Sequence, residues 1–83
     1  MVESYNSYEI IEFLAKEGNQ NSLSDSGVAC LCVHTAIHGA YLNVRINLKD
    51  ATGGEDIMKK ADKILKDSHS KKEKIMKLVE DKL

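Results

Sequence analysis

Gly18-Asn-Gln-Asn-Ser-Leu-Ser-Asp25-Ser-Gly27, running into Val28-Ala-Cys-Leu-Cys-Val-His34-Thr-Ala-Ile-His38-Gly-Ala-Tyr-Leu-Asn43-Val-Arg45-Ile-Asn47-Leu-Lys-Asp50, is the stretch on which the fold turns. A cluster of amides, hydroxyls and one carboxylate stands directly in front of a helix that is apolar on nearly every side. Such a helix must be surrounded by others. Polar groups on it are costly unless they are hydrogen-bonded or have chemistry to do. Ala29, Ala36, Gly39 and Ala40 are small and let neighbouring backbones come close. Ser22 or Ser24 is the expected cap, and Ser22 to Asp25 has the spacing of a capping box with Asp in place of Glu.

Working outward, residues 4–17 read as a first helix. Tyr8, Ile11, Leu14 and Ala15 recur at helical spacing, widened by Ile10 and Phe13. Gly18-Asn19 is expected to close it in a left-handed conformation. The central helix spans about 23–48, and Ala51-Thr-Gly-Gly54 breaks the chain again. Beyond that break, Ile57, Ala61, Ile64, Ser68, Ile75, Leu78 and Val79 trace one stripe along a helix of 55–82. Glu55 and Asp56 suit its first turn, and Ser68-His69-Ser70 is its weak point. The fold class is all-α: three helices in a single unit over 1–83, forming part of a helical bundle. Two other helices cannot easily wrap the central one, so the remaining cover is expected from another chain or from a missing part of this one.

Composition narrows the function classes. There is no proline and 30% of the 83 residues are charged, which fits a small helical globular unit. Residues 1–50 carry three basic and six acidic side chains, and residues 51–83 carry nine and seven. Neither half offers the coherent positive face that nucleic acid requires. The lysines of the last helix alternate with acids, as on a solvated face rather than a membrane-binding one. No apolar run is expected to span a membrane. Cys30 and Cys32 sit two apart and cannot bridge along a helix, so reduced thiols and a cytoplasmic setting are expected.

Several residues can carry chemistry. Asp25 near a helix start is a fixed anionic acceptor, or simply a helix-stabilising acid. Asn19, Asn21, Ser22 and Ser24 are turn and capping types that, as a set, can also hydrogen-bond a polar heterocycle. Asn43 and Asn47 lie four apart on one helix face, where they either clamp a neighbour or orient a ligand. Arg45 meets either a carboxylate ligand or a surface acid. Cys30, His34 and His38 share a face at the spacing of zinc ligands, with His69 or an acid as a possible fourth. One helix aims three residues over two turns poorly at one ion, so packed or partly exposed histidines are expected and no metal site. Cys32 has no basic neighbour in sequence to activate it.

Gly-Asn-x-Asn-x-x-Ser-Asp-x-Gly over 18–27, followed by Asn43-Val-Arg-Ile-Asn47, resembles the C-terminal part of the folate cyclodeaminase/cyclohydrolase family. The resemblance covers most of the chain and is specific from Gly18 to Leu48. It implies a helical-bundle oligomer acting on tetrahydrofolate derivatives, either as a lyase that closes formimino-tetrahydrofolate with release of ammonia or as a hydrolase that opens the methenyl bridge. It further implies that Asp25 positions the pterin or relays a proton, receiving an amino group and a ring N–H at once. Asn19, Asn21, Ser24, Asn43, Arg45 and Asn47 would then contact the folate substrate. No metal or redox cofactor is implied. The family's Gly-Gly-Ser-containing helix start does not occur in these 83 residues, which fall well below the size of a usual catalytic domain. The expectation is a partial site, completed by a homo-oligomer or a complementary chain. The alternative is a non-catalytic helical interaction module.

Overall fold

The computed structural model describes residues 2–49 and 52–83, with backbone but not side chains at 20 and 21. Three helices follow in order: α1 (Val2–Glu17), α2 (Gln20–Leu48) and α3 (Glu55–Lys82). They form an up-down-up bundle measuring 49 × 17 × 14 Å. Ile11 and Leu14 of α1 meet Ser22 to Ala29 of α2 in antiparallel sense. In α3, Ser68 and Lys72 lie against His34 and Cys30 of α2. Parallel α1 and α3 are tied near one end by Tyr8 with Ser68 and near the other by Lys82 with Lys16.

The core is one seam of Tyr8, Ile11, Ala15, Leu23, Cys30, Ile37, Ile75 and Val79. The expected stripe on α3 is correct in its centre, with Ala61, Ser68, Ile75 and Val79 buried. Ile57 lies beyond it, 52% exposed. On α1 only the Tyr8, Ile11 and Ala15 edge of the expected stripe is buried, while Ile10, Phe13 and Leu14 stay exposed. Two neighbouring helices cover one face of α1, and the other apolar face is bare.

Several helix boundaries differ from the sequence reading for identifiable reasons. The first helix begins at Val2 rather than residue 4, and the second at Gln20 rather than 23. The cap of α2 is Asn19, whose side-chain oxygen accepts from the Ser22 N–H at 3.0 Å. Neither Ser22 nor Ser24 fills that place. Ser68-His69-Ser70 is no weak point, because α3 runs through it unbroken with Ser68 fully buried. The bounds of α3 agree with the sequence reading.

Gly18 does not close α1 in a left-handed conformation, since Gly53 (φ 79°) is the positive-φ glycine among the described residues. Its role is space. A Cβ at Gly18 would stand 2.6 Å from the Leu14 carbonyl oxygen and 2.7 Å from the Ser22 Cβ. Gly18→Ala is expected to cost about 1–3 kcal/mol through the backbone shift it forces. Urea unfolding of the two proteins checks this, and an equal midpoint would show that the turn gives way freely.

One ion pair and the hydrogen bonds of one ammonium group pin α1 to α3. Glu12 of α1 accepts from Lys74 of α3 at 2.9 Å and meets Lys16 at 3.5 Å. The hydrogen bond from Lys74 holds the Glu12 carboxyl below its ordinary range. The Lys82 ammonium donates to the Ala15 and Lys16 carbonyls, satisfying acceptors that the end of α1 leaves free.

Candidate functional site

At the start of α2, Ile11 and Leu14 of α1 face Ser22, Asp25, Ser26 and Ala29 across a groove of about 270 Å³. The floor is aliphatic, and the polar groups stand on the α2 side. Asp25 is exposed and Ser26 is buried. Because the helix begins at Gln20, Asp25 lies in its second turn, where backbone N–H groups are already bonded within the helix. It is therefore an exposed carboxylate at the groove, with no partner among the described residues, rather than an acid capping a first turn. Asn19 has its side-chain oxygen committed to the cap, so it shapes the turn. Ser24 is exposed but does not line the groove, being one residue and about 100° away from Asp25. Asn21 lies outside the described side chains.

The remaining expected site residues lie elsewhere. Asn43, Arg45 and Asn47 are all exposed in the last turns of α2. At about 1.5 Å per residue, Asn43 is roughly 27 Å from Asp25 along the helix. Arg45 borders a groove of about 500 Å³ with Leu48, Lys49, Glu55, Met58 and Asp62. The expected site residues whose side chains are described thus form two groups, and this chain by itself does not unite them.

The two groups nonetheless share a face. Eighteen residues make five helical turns, so Asp25 and Asn43 point the same way, with Asn47 only about 40° off. Between them run Cys32, Ala36 and Gly39, all exposed, flanked by Val28 at 60% and Ile46 at 71% exposure. A Cβ added at Gly39 meets nothing within 4 Å. This is a long, nearly uncharged helix face without a neighbour, the one the sequence says should be wrapped.

Cys30, His34 and His38 do follow one face of α2, and His69 approaches from α3, with ring centroids 5.9 Å from His34. Among the described residues no three His, Cys, Asp or Glu side chains are placed to hold a metal ion. Cys30 is buried, which pushes its thiol pKa up, and its S–H points to the Lys72 carbonyl at 3.8 Å. Cys32 is a free, exposed thiol. Sequence reasoning missed Tyr8 and Ser68 as polar participants, because a tyrosine and a serine inside apolar stripes carry no signal of their own.

One expectation about membranes needs correction. Ser22–Leu48 is long and apolar enough to cross a bilayer by length and composition. Its few charges are confined to the ends, which is why a search for short apolar runs passes over it. A central bundle helix meets the same test.

The chain can now be set beside known proteins. The family profile described as formiminotransferase-cyclodeaminase matches residues 1–67. The chain is 32% identical over 78 residues to the methenyltetrahydrofolate cyclohydrolase of Methylorubrum extorquens, covering 90% of this chain and 38% of that protein. It is 38% identical over 72 residues to the formimidoyltransferase-cyclodeaminase of Dictyostelium discoideum, covering 83% of this chain and 13% of that one. With the corresponding protein of Rattus norvegicus it shares 47% identity over 49 residues, 59% of this chain and 9% of the relative. No solved structure matches it at a significant level. The chain spans well under half the length of these relatives, but on the breadth of the profile match it belongs to the formiminotransferase-cyclodeaminase family.

Proposed function

We propose that this chain supplies part of a folate one-carbon site of the cyclodeaminase or cyclohydrolase type. The observation that carries the reading is the groove of about 270 Å³ at the start of α2, with Asp25 exposed on its rim and aliphatic Ile11 and Leu14 beneath. A pterin is a flat heterocycle with an amino group beside a ring N–H. The aliphatic floor takes the ring face, and one ionised carboxylate receives both donors at once. Ser22 and Ser26 flank it.

Both candidate reactions exchange bonds at a single carbon. In the lyase direction a folate nitrogen attacks the formimino carbon and ammonia leaves. In the hydrolase direction water adds to the methenyl carbon and one carbon–nitrogen bond breaks. The one-carbon unit keeps its oxidation state in each, so the reading invokes no redox cofactor and calls on no metal. What both need is a held pterin, a proton acceptor and a positioned water or amine. Asp25 serves the first need and can relay a proton. Asn43 and Asn47, with two-sided amides, suit the third.

Those asparagines reach the groove only through assembly. A second helical unit laid antiparallel on the bare α2 face, as a homo-oligomer or a complementary chain, brings its own far end against Asp25. The folate substrate and a cytoplasmic setting are parts of the same proposal, as is a partner other than nucleic acid or membrane. The test is the absorbance of methenyl-tetrahydrofolate with this chain alone and at rising concentration, alongside light scattering for mass. Loss above background that grows faster than linearly with protein supports a site shared between units. A strictly linear rate from a monomer removes the need for a partner.

A second reading has one observation in its favour. Ile10, Phe13, Leu14, Val28, Leu31, Leu42 and Ile46 are all exposed, more apolar surface than a small free-standing unit ordinarily shows. On that reading the chain is a non-catalytic association module. It then binds its partner with full affinity whether or not Asp25 keeps its charge.

A further inference from the structure

Three polar side chains meet inside the apolar seam, one from each helix. The Tyr8 hydroxyl of α1 lies 2.6 Å from the Ser68 Oγ of α3. The same Oγ lies 2.9 Å from the Nδ1 of His34 on α2. Tyr8 is 1% exposed and Ser68 not at all, so neither has water to turn to. Among the described residues no buried side-chain nitrogen or oxygen lacks a partner.

Counting hydrogens fixes the direction of this chain. With Nδ1 bare, Tyr8 donates to Ser68 and Ser68 donates to His34, so each hydrogen has one acceptor. The neutral ring then carries its hydrogen on Nε2. When Nδ1 takes up a proton, it must donate to Ser68 as well. Three hydrogens then share two contacts, and one hydroxyl hydrogen is left without either contact in a dry interior. An unmade buried hydrogen bond of that kind is costly.

The surroundings reinforce this. His34 stands at the wall of a groove of about 480 Å³ lined by His38, Leu65, Lys66, His69 and Ser70. On α2 it faces His38 at 6.1 Å between ring centroids, and on α3 it faces His69 at 5.9 Å. Lys72 is a further positive neighbour from α3, and Tyr8 with Tyr5 behind it completes the side toward α1. Glu73 of α3 is engaged by the His69 Nε2 at 3.1 Å. No carboxylate is hydrogen-bonded to His34 among the described residues.

We propose that the Tyr8–Ser68–His34 junction is a proton-sensitive latch that clasps all three helices when His34 is neutral and lets them part when it is charged. Burial first, then Lys72, His69 and His38, hold the His34 pKa below its ordinary 6.5. The sign follows from linkage. Above 6.5 the ring is neutral folded and unfolded, and the latch contributes in full. As pH falls past that value the unfolded chain takes the proton first, and stability drains until the folded ring also titrates. The window opens near 6.5, well above the ordinary carboxylate range of Glu12, so the first loss on acidification belongs to His34.

The experiment is a set of urea unfolding curves on the full chain from about pH 8 to about pH 5, with His34→Gln and His38→Gln beside the wild type. The wild-type unfolding constant should rise by up to about tenfold per pH unit as pH falls through the window, for the one proton involved. His34→Gln should lose that acid response, and His38→Gln should keep it. Nitrogen NMR of the wild-type ring should show Nδ1 bare at neutral pH and a midpoint below that of free imidazole. A His34→Gln variant as acid-sensitive as the wild type overturns the proposal. So does a proton on Nδ1 at neutral pH, a result that stands even if the variant fails to fold.

Discussion

Ile37→Ala should cost about 2–5 kcal/mol, the range for deleting most of a buried isoleucine. Ile37 is completely buried, and it sits where the three-helix seam gives way to α2 and α3 alone. An 83-residue unit of ordinary stability has about 4–12 kcal/mol in total, so this one change removes a large share of it. Thermal unfolding followed by circular dichroism should show a broad, early transition. A melting curve within a few degrees of the wild type would mean that the far half of α2 is held by something other than this core.

Asp25→Asn is expected to act the opposite way, severe for folate and mild for the fold. Asp25 is exposed and lies past the first turn, so its charge supports no free helix N–H group. The change should move unfolding by no more than about 0.5 kcal/mol, as at an ordinary surface position. A paired, charge-assisted contact to a pterin is a different matter. Losing one such bond costs about 1.5–3 kcal/mol, or roughly ten- to a hundredfold in affinity or rate. Titration with a tetrahydrofolate derivative, on whichever assembly binds it, measures this directly. Equal affinity in both proteins would remove Asp25 from the pterin and favour the association module.

The sequence displayed some of this and hid the rest for physical reasons. The α3 boundaries were readable because Gly53-Gly54, two acids and a regular apolar stripe all agree. The start of α2 was not. Asn19, Ser22 and Ser24 are all good caps, and only the path of the turn around Gly18 decides between them. That three-residue difference moved Asp25 from a first turn to a second and changed its character. The α1 stripe was overread because apolar residues on both edges look alike until one learns that only one face has a neighbour. Asn43 and Asn47 were legible as a pair on one face, while the place of Asp25 on the same face emerged only once α2 was seen to run unbroken between them. Their separation by five turns was implicit in the numbering, but which partner spans it depends on a surface outside these residues. The buried Tyr8–Ser68–His34 contact was illegible, since it joins residues 60 and 34 positions apart.

The unequal helix lengths have a dynamic consequence. α1, with 16 residues, is about 24 Å long, while α2, with 29, is about 43 Å. Past Ile37 and Ala61 the bundle thins to a two-stranded prong. Amide hydrogens there should exchange with solvent through local opening, and those around Leu23, Cys30 and Ile75 only through global unfolding. The molecule is thus graded from a firm root to a yielding tip. Asn43, Arg45 and Asn47 ride on the tip, free to adjust when a neighbour arrives, while Asp25 is held at the root.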